Sequence, residues 1–270
     1  MRVDANGLGF ELLDEGEGPA VLLLHGFPDT HRVWREQLPA LLDAGYRVIA
    51  PDLRGRGASD MPEAVEAYNI ATMLGDVTGI MDARGVERAF VVGHDFGAVL
   101  AWATAILLPD RVEKLVAMSV GNPAGWREPP LHQRMLSWYM LFFQFEGIAE
   151  AWLQHDDWKL LREWLADAPD RESYVEDLAR PGRLTAGLNY YRANLAPRMP
   201  DEWLELPPVR VPTMGMWSTR DFALTEEQMT GSGAMVEAPW RYERVEDAGH
   251  WLQLEQPGRV NPLLLDFLKE

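Results

Sequence analysis

The feature that most constrains this chain is the octapeptide Val91-Val92-Gly93-His94-Asp95-Phe96-Gly97-Ala98. An apolar run from Ala89 to Val92 stops at a glycine, and a helix-like run from Ala98 to Leu108 begins just beyond a second one. A buried strand that turns this abruptly into a helix forces the residue at the corner into a strained backbone region. Small residues must flank it, and Gly93 and Gly97 do. The residue at the corner is Asp95. A serine in that place would need a base to become a nucleophile, whereas a carboxylate with a reference pKa of about 3.9 is already ionised at neutral pH. Attack by that carboxylate on carbon produces an alkyl ester, which water must then cleave.

The rest of the chain supplies the fold that such a corner requires. Ala20 to Leu24 and Tyr46 to Ala50 read as short, continuously apolar strands, as expected where both faces of a parallel sheet are covered. Phe10 to Asp14 reads as an edge strand, and Arg88–Val92, Lys114–Val120, Val211–Trp217 and Arg241–Val245 as further strands. Helical signals cover Thr30–Ala44, Tyr68–Arg84, Ala98–Leu108 and Val260–Leu268. Strands alternating with helices predict an α/β fold with a mostly parallel, twisted sheet flanked by helices. Pro51-Asp52-Leu53-Arg54-Gly55-Arg56-Gly57-Ala58-Ser59 is glycine-rich but lacks the Gly-Lys-Ser/Thr ending of a phosphate loop, so it reads as structural.

The alternation stops at Pro123. From there to about Leu206 strand signals vanish and aromatic residues accumulate, among them Trp126, Trp138, Tyr139, Phe142, Phe143, Trp164, Tyr190, Tyr191 and Trp203. This predicts a core domain of residues 1–122 and 207–270 and an inserted helical cap of residues 123–206.

Three features fall where the Asp95 corner needs them. Asp221 lies four residues beyond Trp217, and His250 stands in Asp247-Ala248-Gly249-His250-Trp251, just after the last strand. Nucleophile, acid, then histidine is the chain order of α/β-hydrolases. His25-Gly26-Phe27-Pro28 follows an early strand, where the backbone N–H of Phe27, with that of Phe96, can face a developing oxyanion. Each piece has a plainer use. Asp221 also suits a cap on the helix after Ala223, and His25 and His94 suit hydrogen bonding to loops beneath the site. Together, in order and each at the C-terminal end of a strand, they form an active-site constellation.

On these residues the chain resembles the epoxide hydrolases over essentially its whole length. The resemblance is carried by His25-Gly26-Phe27-Pro28, Gly93-His94-Asp95-Phe96-Gly97, Leu188-Asn189-Tyr190-Tyr191-Arg192 and Gly249-His250-Trp251. It implies the α/β-hydrolase fold and the opening of an apolar epoxide to a vicinal diol, with no cofactor and no metal. Two lid tyrosines, matching Tyr139 and Tyr191, are implied over the nucleophile, while Tyr190 is expected to be structural. Phe27, Phe96, Trp138 and Trp251 are expected to line the substrate pocket. Many relatives carry Trp directly after the nucleophile, where this chain has Phe96. A dehalogenase would use the same ester chemistry but wants N–H donors for the departing halide. The Phe96 and Phe27 side chains offer none, which leaves Trp126 or Trp138 for that role. A non-catalytic binder on the same scaffold would be expected to have lost part of the constellation.

Composition closes off other classes. Of 270 residues, 42 are acidic and 25 basic, a net charge of −17, which disfavours nucleic acid and anionic membranes as partners. With no cysteine there is neither a disulfide framework nor a thiolate metal site. Residues 1–7 lack the apolar core of a signal peptide, so the expected location is cytoplasmic, as a monomer or homodimer.

Overall fold

The computed structural model describes residues 1–126, 129–195 and 206–270, with the side chain of Trp126 excepted. Trp203 therefore lies outside the described residues. Eight strands form one sheet: β1 (Arg2–Ala5), β2 (Leu8–Glu15), β3 (Ala20–Leu24), β4 (Arg47–Pro51), β5 (Ala89–His94), β6 (Val112–Met118), β7 (Thr213–Ser218) and β8 (Trp240–Val245). Their order is β1-β2-β4-β3-β5-β6-β7-β8. The two pairings made by β2 are antiparallel and those from β4 through β8 are parallel, the mixed sheet expected.

Two details differ from the reading of the sequence. The strand around Phe10–Asp14 is not the edge. β1 lies outside it, joined by a two-residue turn in which Asn6 and Gly7 take φ of 48° and 76°. An Asn-Gly pair suits a turn that requires positive φ at both positions. The helix expected over Thr30–Ala44 is two pieces, a 3₁₀ turn at His31–Trp34 and α1 (Leu38–Asp43). Pro39 sits in the first turn of α1, where its missing N–H is harmless, but it prevents the preceding turn from running on.

α2 (Ile70–Ala83) and α3 (Phe96–Leu107) pack on the sheet, the latter against β5 and β6. Among the described residues, the segment between β6 and β7 holds a short 3₁₀ turn, α4 (Leu131–Leu136), α5 (Trp138–Phe142), α6 (Ile148–Trp164, interrupted at His155–Trp158), α7 (Arg171–Leu178), α8 (Arg183–Asn194) and, near its end, an isolated bridge from Val209 to Val236. α9 (Glu226–Thr230), α10 (Leu252–Glu255) and α11 (Pro257–Lys269) complete the chain. Among the described residues no helix is long and apolar enough to cross a membrane. The central strand β5 is buried at Val91 and Val92 by neighbours on both faces, so its C-terminal end is held rigidly where the chain turns.

Candidate active site

At that turn Asp95 takes φ 53° and ψ −125°. A non-glycine residue there carries on the order of 1–3 kcal/mol of strain, and its neighbours show why they must be small. A Cβ on Gly93 would strike the backbone of Gly97 and Ala98, and one on Gly97 would strike the carbonyls of Leu24 and His25. Gly26 faces the aspartate itself, since a Cβ there would collide with the Asp95 side chain. The chain has been thinned to glycine where β3, β5 and α3 converge on one carboxylate.

The carboxylate is nearly enclosed. Its Oδ1 accepts the backbone N–H of Phe27 at 2.8 Å, and its Oδ2 lies 3.6 Å from His250 Nε2. The amide of Phe96, first residue of α3, belongs to the helix-terminal N–H groups that have no acceptor within the helix. On the far side of the imidazole, Nδ1 lies 3.2 and 3.1 Å from the two oxygens of Asp221. Asp221 also accepts the amides of Ala223 and Leu224 at 2.9 and 3.1 Å, so its loop-capping and histidine-pairing uses coexist. Trp217 Nε1 donates to the Leu224 carbonyl at 2.9 Å and closes the same loop.

Charge follows this geometry. Burial pushes the Asp95 carboxyl up, but the His250 hydrogen bond and charge, the charge of His94 and the Phe27 amide outweigh it and hold the group below the usual carboxylate value. Burial pulls His250 down, yet Asp221 and Asp95 on its two sides hold it well above 6.5. The two carboxyl groups flanking His250 thus favour its imidazolium form.

His25 and His94 serve the scaffold, as expected. Leu53 N–H donates to His25 Nε2 at 2.9 Å, so the ring proton sits on Nδ1 and goes to the Gly26 carbonyl at 2.8 Å. His94 Nε2 lies 2.9 Å from the His250 carbonyl, which also accepts from Ser119 Oγ at 3.1 Å.

Above Asp95 the helices bring Tyr139 and Tyr191 together, their rings edge to face at 5.8 Å. Tyr191 also meets Phe27 at 5.7 Å and Phe96 at 6.4 Å. Burial raises both phenols well above 10, and the charge of Asp95 raises them further. Both are therefore protonated donors at neutral pH. Tyr190 is different. It donates to the Arg54 carbonyl at 2.6 Å and stacks on Phe96 at 4.7 Å, pointing away from this pair.

The two tryptophans expected in the pocket sit elsewhere. Trp138 is 45% exposed, its ring against Phe142, because adjacent residues of a helix point about 100° apart and Tyr139 takes the inward direction. Trp251 is buried beneath the site, edge-on to His250 at 5.0 Å and stacked on Tyr174 at 5.7 Å, with Nε1 donating to Asp29 at 3.2 Å. It supports the histidine. Phe143, Trp164 and Phe222 are the aromatic rings set against the reactive groups: Phe143 lies 5.1 Å from Tyr191, Trp164 lies 4.8 Å from Tyr139, and Phe222 lies 5.6 Å from His250.

Two arginines were missed by sequence reasoning. Arg56, fully buried, holds the Phe27 loop by donating to the Pro28 and Asp29 carbonyls, and it pairs with Asp177 of α7 at 2.9 Å. Arg192 follows Tyr191 and reaches Glu150 and the Phe143 carbonyl. Nothing in a local pattern marks a buried arginine, although Arg192 does stand inside the Leu188–Arg192 motif.

Similarity to known proteins gives the family. Residues 19–257 match the family model described as the alpha/beta hydrolase fold. Epoxide hydrolase A of Mycobacterium tuberculosis is 35% identical, covering 98% of this chain and 96% of that protein. The chain belongs to the epoxide hydrolase family of α/β-hydrolases. Two solved members resemble it throughout. Epoxide Hydrolase A from Mycobacterium thermoresistibile superposes with a TM-score of 0.86 at 32% identity, over 100% of this chain and 97% of that one. An epoxide hydrolase of Bacillus megaterium, solved with an inhibitor, gives 0.89 at 27% identity over 100% of both chains.

Proposed function

We propose that the protein hydrolyses an apolar epoxide to a vicinal diol through a covalent ester on Asp95. Asp95 Oδ2, or its symmetry-equivalent oxygen after rotation, attacks one ring carbon. The C–O bond of the ring breaks, and its electron pair stays on oxygen. Tyr139 and Tyr191 hydrogen-bond that oxygen and supply a proton as charge develops. The product of this half-reaction is a hydroxyalkyl ester. His250, oriented by Asp221, then takes a proton from water, the hydroxide adds to the ester carbonyl, and the amides of Phe27 and Phe96 receive the oxyanion. On collapse the bond from the former ester carbon to the alkoxy oxygen breaks, that oxygen takes the proton of the carbon-bound hydroxyl, and the diol leaves; Asp95 returns as a carboxylate that keeps the oxygen from water. The cycle calls on no metal or cofactor. Residues 123–206 act as a cap over the core of residues 1–122 and 207–270. Its aromatic side chains favour an apolar substrate.

Ester formation itself switches the base on. In the resting protein two carboxylates hold His250 protonated. Alkylation neutralises Asp95, one of those two, so the imidazolium gives up its proton more readily, and the tyrosinate left by ring opening is the group that takes it; the tyrosine is restored and His250 is free to act as base.

The observation that carries this reading is the placement of one carboxylate, Asp95, between the Phe27 amide at 2.8 Å and His250 Nε2 at 3.6 Å. The test is intact mass of His250→Ala after incubation with styrene oxide, with 1-chlorohexane in parallel. A gain equal to the whole epoxide, lost again in Asp95→Asn, is expected. A gain of the alkyl group with the chloride alone would reassign the chain as a dehalogenase. No adduct with a wide epoxide panel would leave a binding protein.

A further inference from the structure

α4 is turned the opposite way from an ordinary amphipathic helix. Its apolar residues Leu131 and Met135 are 73% and 64% exposed, and the one residue it buries, at 1%, is Gln133. The inward position of a surface helix is normally apolar, and a buried amide is tolerated only where its donors and acceptor are satisfied. Those of Gln133 are. Oε1 accepts the backbone N–H of Thr225 at 2.9 Å, while Nε2 donates to the Ala223 carbonyl at 2.9 Å and to Ser137 Oγ at 2.9 Å. These partners fix which way round the amide lies, since the reverse would set NH2 against N–H and carbonyl against carbonyl.

The three bonds join segments that serve different halves of the cycle. Residues 223–225 follow directly on the acid: Asp221 accepts the amides of Ala223 and Leu224, and Gln133 takes the next amide and the Ala223 carbonyl. Ser137 marks the break between α4 and α5, two residues before Tyr139, and its hydroxyl makes no capping bond to α5. Asp221 orients His250 for ester cleavage, whereas Tyr139 serves ring opening. One side chain therefore spans from the start of α5 to the loop after β7, and neither segment can slide past the other without breaking it.

We propose that Gln133 is a positioning residue for both half-reactions, a single amide that holds Tyr139 and Asp221 in register. The division into half-reactions is that of the ester mechanism above, on which this inference rests. A misplacement of about 1 Å costs on the order of 100-fold in rate, and an amide bonded at three points removes that freedom. Its loss slows ring opening and ester cleavage together, through different groups. Loss of the Ser137 hydroxyl slackens α5 alone.

The test compares Gln133→Met, Gln133→Asn, Ser137→Ala and Ser59→Ala with the wild type, using styrene oxide in rapid-mixing experiments. Met keeps the volume without the amide, and Asn keeps an amide one methylene too short to reach, so a variant remains if either fails to fold. Ser59→Ala removes hydrogen bonds to Glu11 and Asp52, outside both segments, and controls for lost stability. Expected are ester formation and ester hydrolysis each slower by about 10-fold in both Gln133 variants, slower ester formation alone in Ser137→Ala, and neither in Ser59→Ala. Two readouts need no substrate. In the Gln133 variants amide exchange should quicken in residues 137–142 and 221–225, and the low-field proton resonance of the His250 Nδ1–H shared with Asp221 should weaken. Exchange unchanged in either segment, or an unchanged resonance, would overturn the proposal whether or not the ester mechanism stands. So would Gln133 variants slowed in one half-reaction only, or equal slowing by Ser59→Ala.

Discussion

Arg192 grips Glu150 with two parallel hydrogen bonds, Nη1 to Oε1 at 2.7 Å and Nη2 to Oε2 at 2.9 Å, while its Nε donates to the Phe143 carbonyl at 2.8 Å. One buried guanidinium thereby ties α8, which carries Tyr191, to the end of α5, which carries Tyr139. Lysine is a point charge and cannot reproduce the fork. Arg192→Lys should slow ester formation about 10-fold to 100-fold in rapid-mixing experiments and leave ester hydrolysis unchanged. It should also lower the Tm by roughly 5–10 °C. Equal slowing of both half-reactions would show a general loss of structure instead.

The adjacent tyrosines give a sharper contrast. Tyr191→Phe and Tyr139→Phe should each reduce the rate of ester formation by about 10-fold to 100-fold. Tyr190→Phe should leave that rate intact and reduce stability by about 1–2 kcal/mol, because the Arg54 carbonyl loses its donor. Single-turnover kinetics and denaturant titration of the three variants separate the roles.

The two half-reactions should titrate differently. Asp95 must be ionised to attack, and its pKa is depressed, so ester formation should stay constant down to pH values below 3.8 and fall only as the carboxyl protonates. His250 must be neutral to act as base, so ester hydrolysis should rise with pH. Its midpoint should lie below the raised value of the resting enzyme, since Asp95 is then uncharged. In the resting protein the sign for stability is opposite to that of a carboxylate. The raised His250 value makes its contribution complete below about pH 6.5 and lost as pH climbs through the folded value. Stopped-flow traces of both phases against pH, with Tm over the same range, check these limbs.

Asp52 should dominate part of the acid side. Burial raises its carboxyl, but His31, bonded through Nδ1 at 2.7 Å and its backbone N–H at 2.9 Å, helps bring it down to about 2. A depressed carboxyl stabilises above its unfolded value and loses that contribution as pH falls through the folded one. Asp52→Asn should therefore lose roughly 2 kcal/mol at pH 7 and much less near pH 2, as urea melts at the two pH values would measure.

Much of this architecture is legible in the sequence because it rests on local, repeated signals. β3 appears residue for residue as a run of apolar side chains, and the corner at Asp95 is flanked by glycines that the backbone requires. Asp221 and His250 are readable because each follows a strand end in a fixed order. The rest depends on partners far along the chain. β1 is short and half polar, so the Asn6-Gly7 turn is its one local sign. Trp138 and Trp251 sit next to site residues in sequence but point elsewhere, which depends on the phase of α5 for the first and on the turn before α10 for the second. Arg56 and Arg192 look like ordinary surface charges until the acids and carbonyls that enclose them are brought from other elements.

The backbone at Asp95 has one more implication. Glycine would occupy φ 53° without strain, but it would also remove a carboxylate whose charged form the Phe27 amide and His250 favour. Relief of the corner and loss of those partners oppose each other, so selection for heat resistance alone has little grip on this position. What only aspartate supplies there is the nucleophile, and a library sorted without an activity screen is free to lose it.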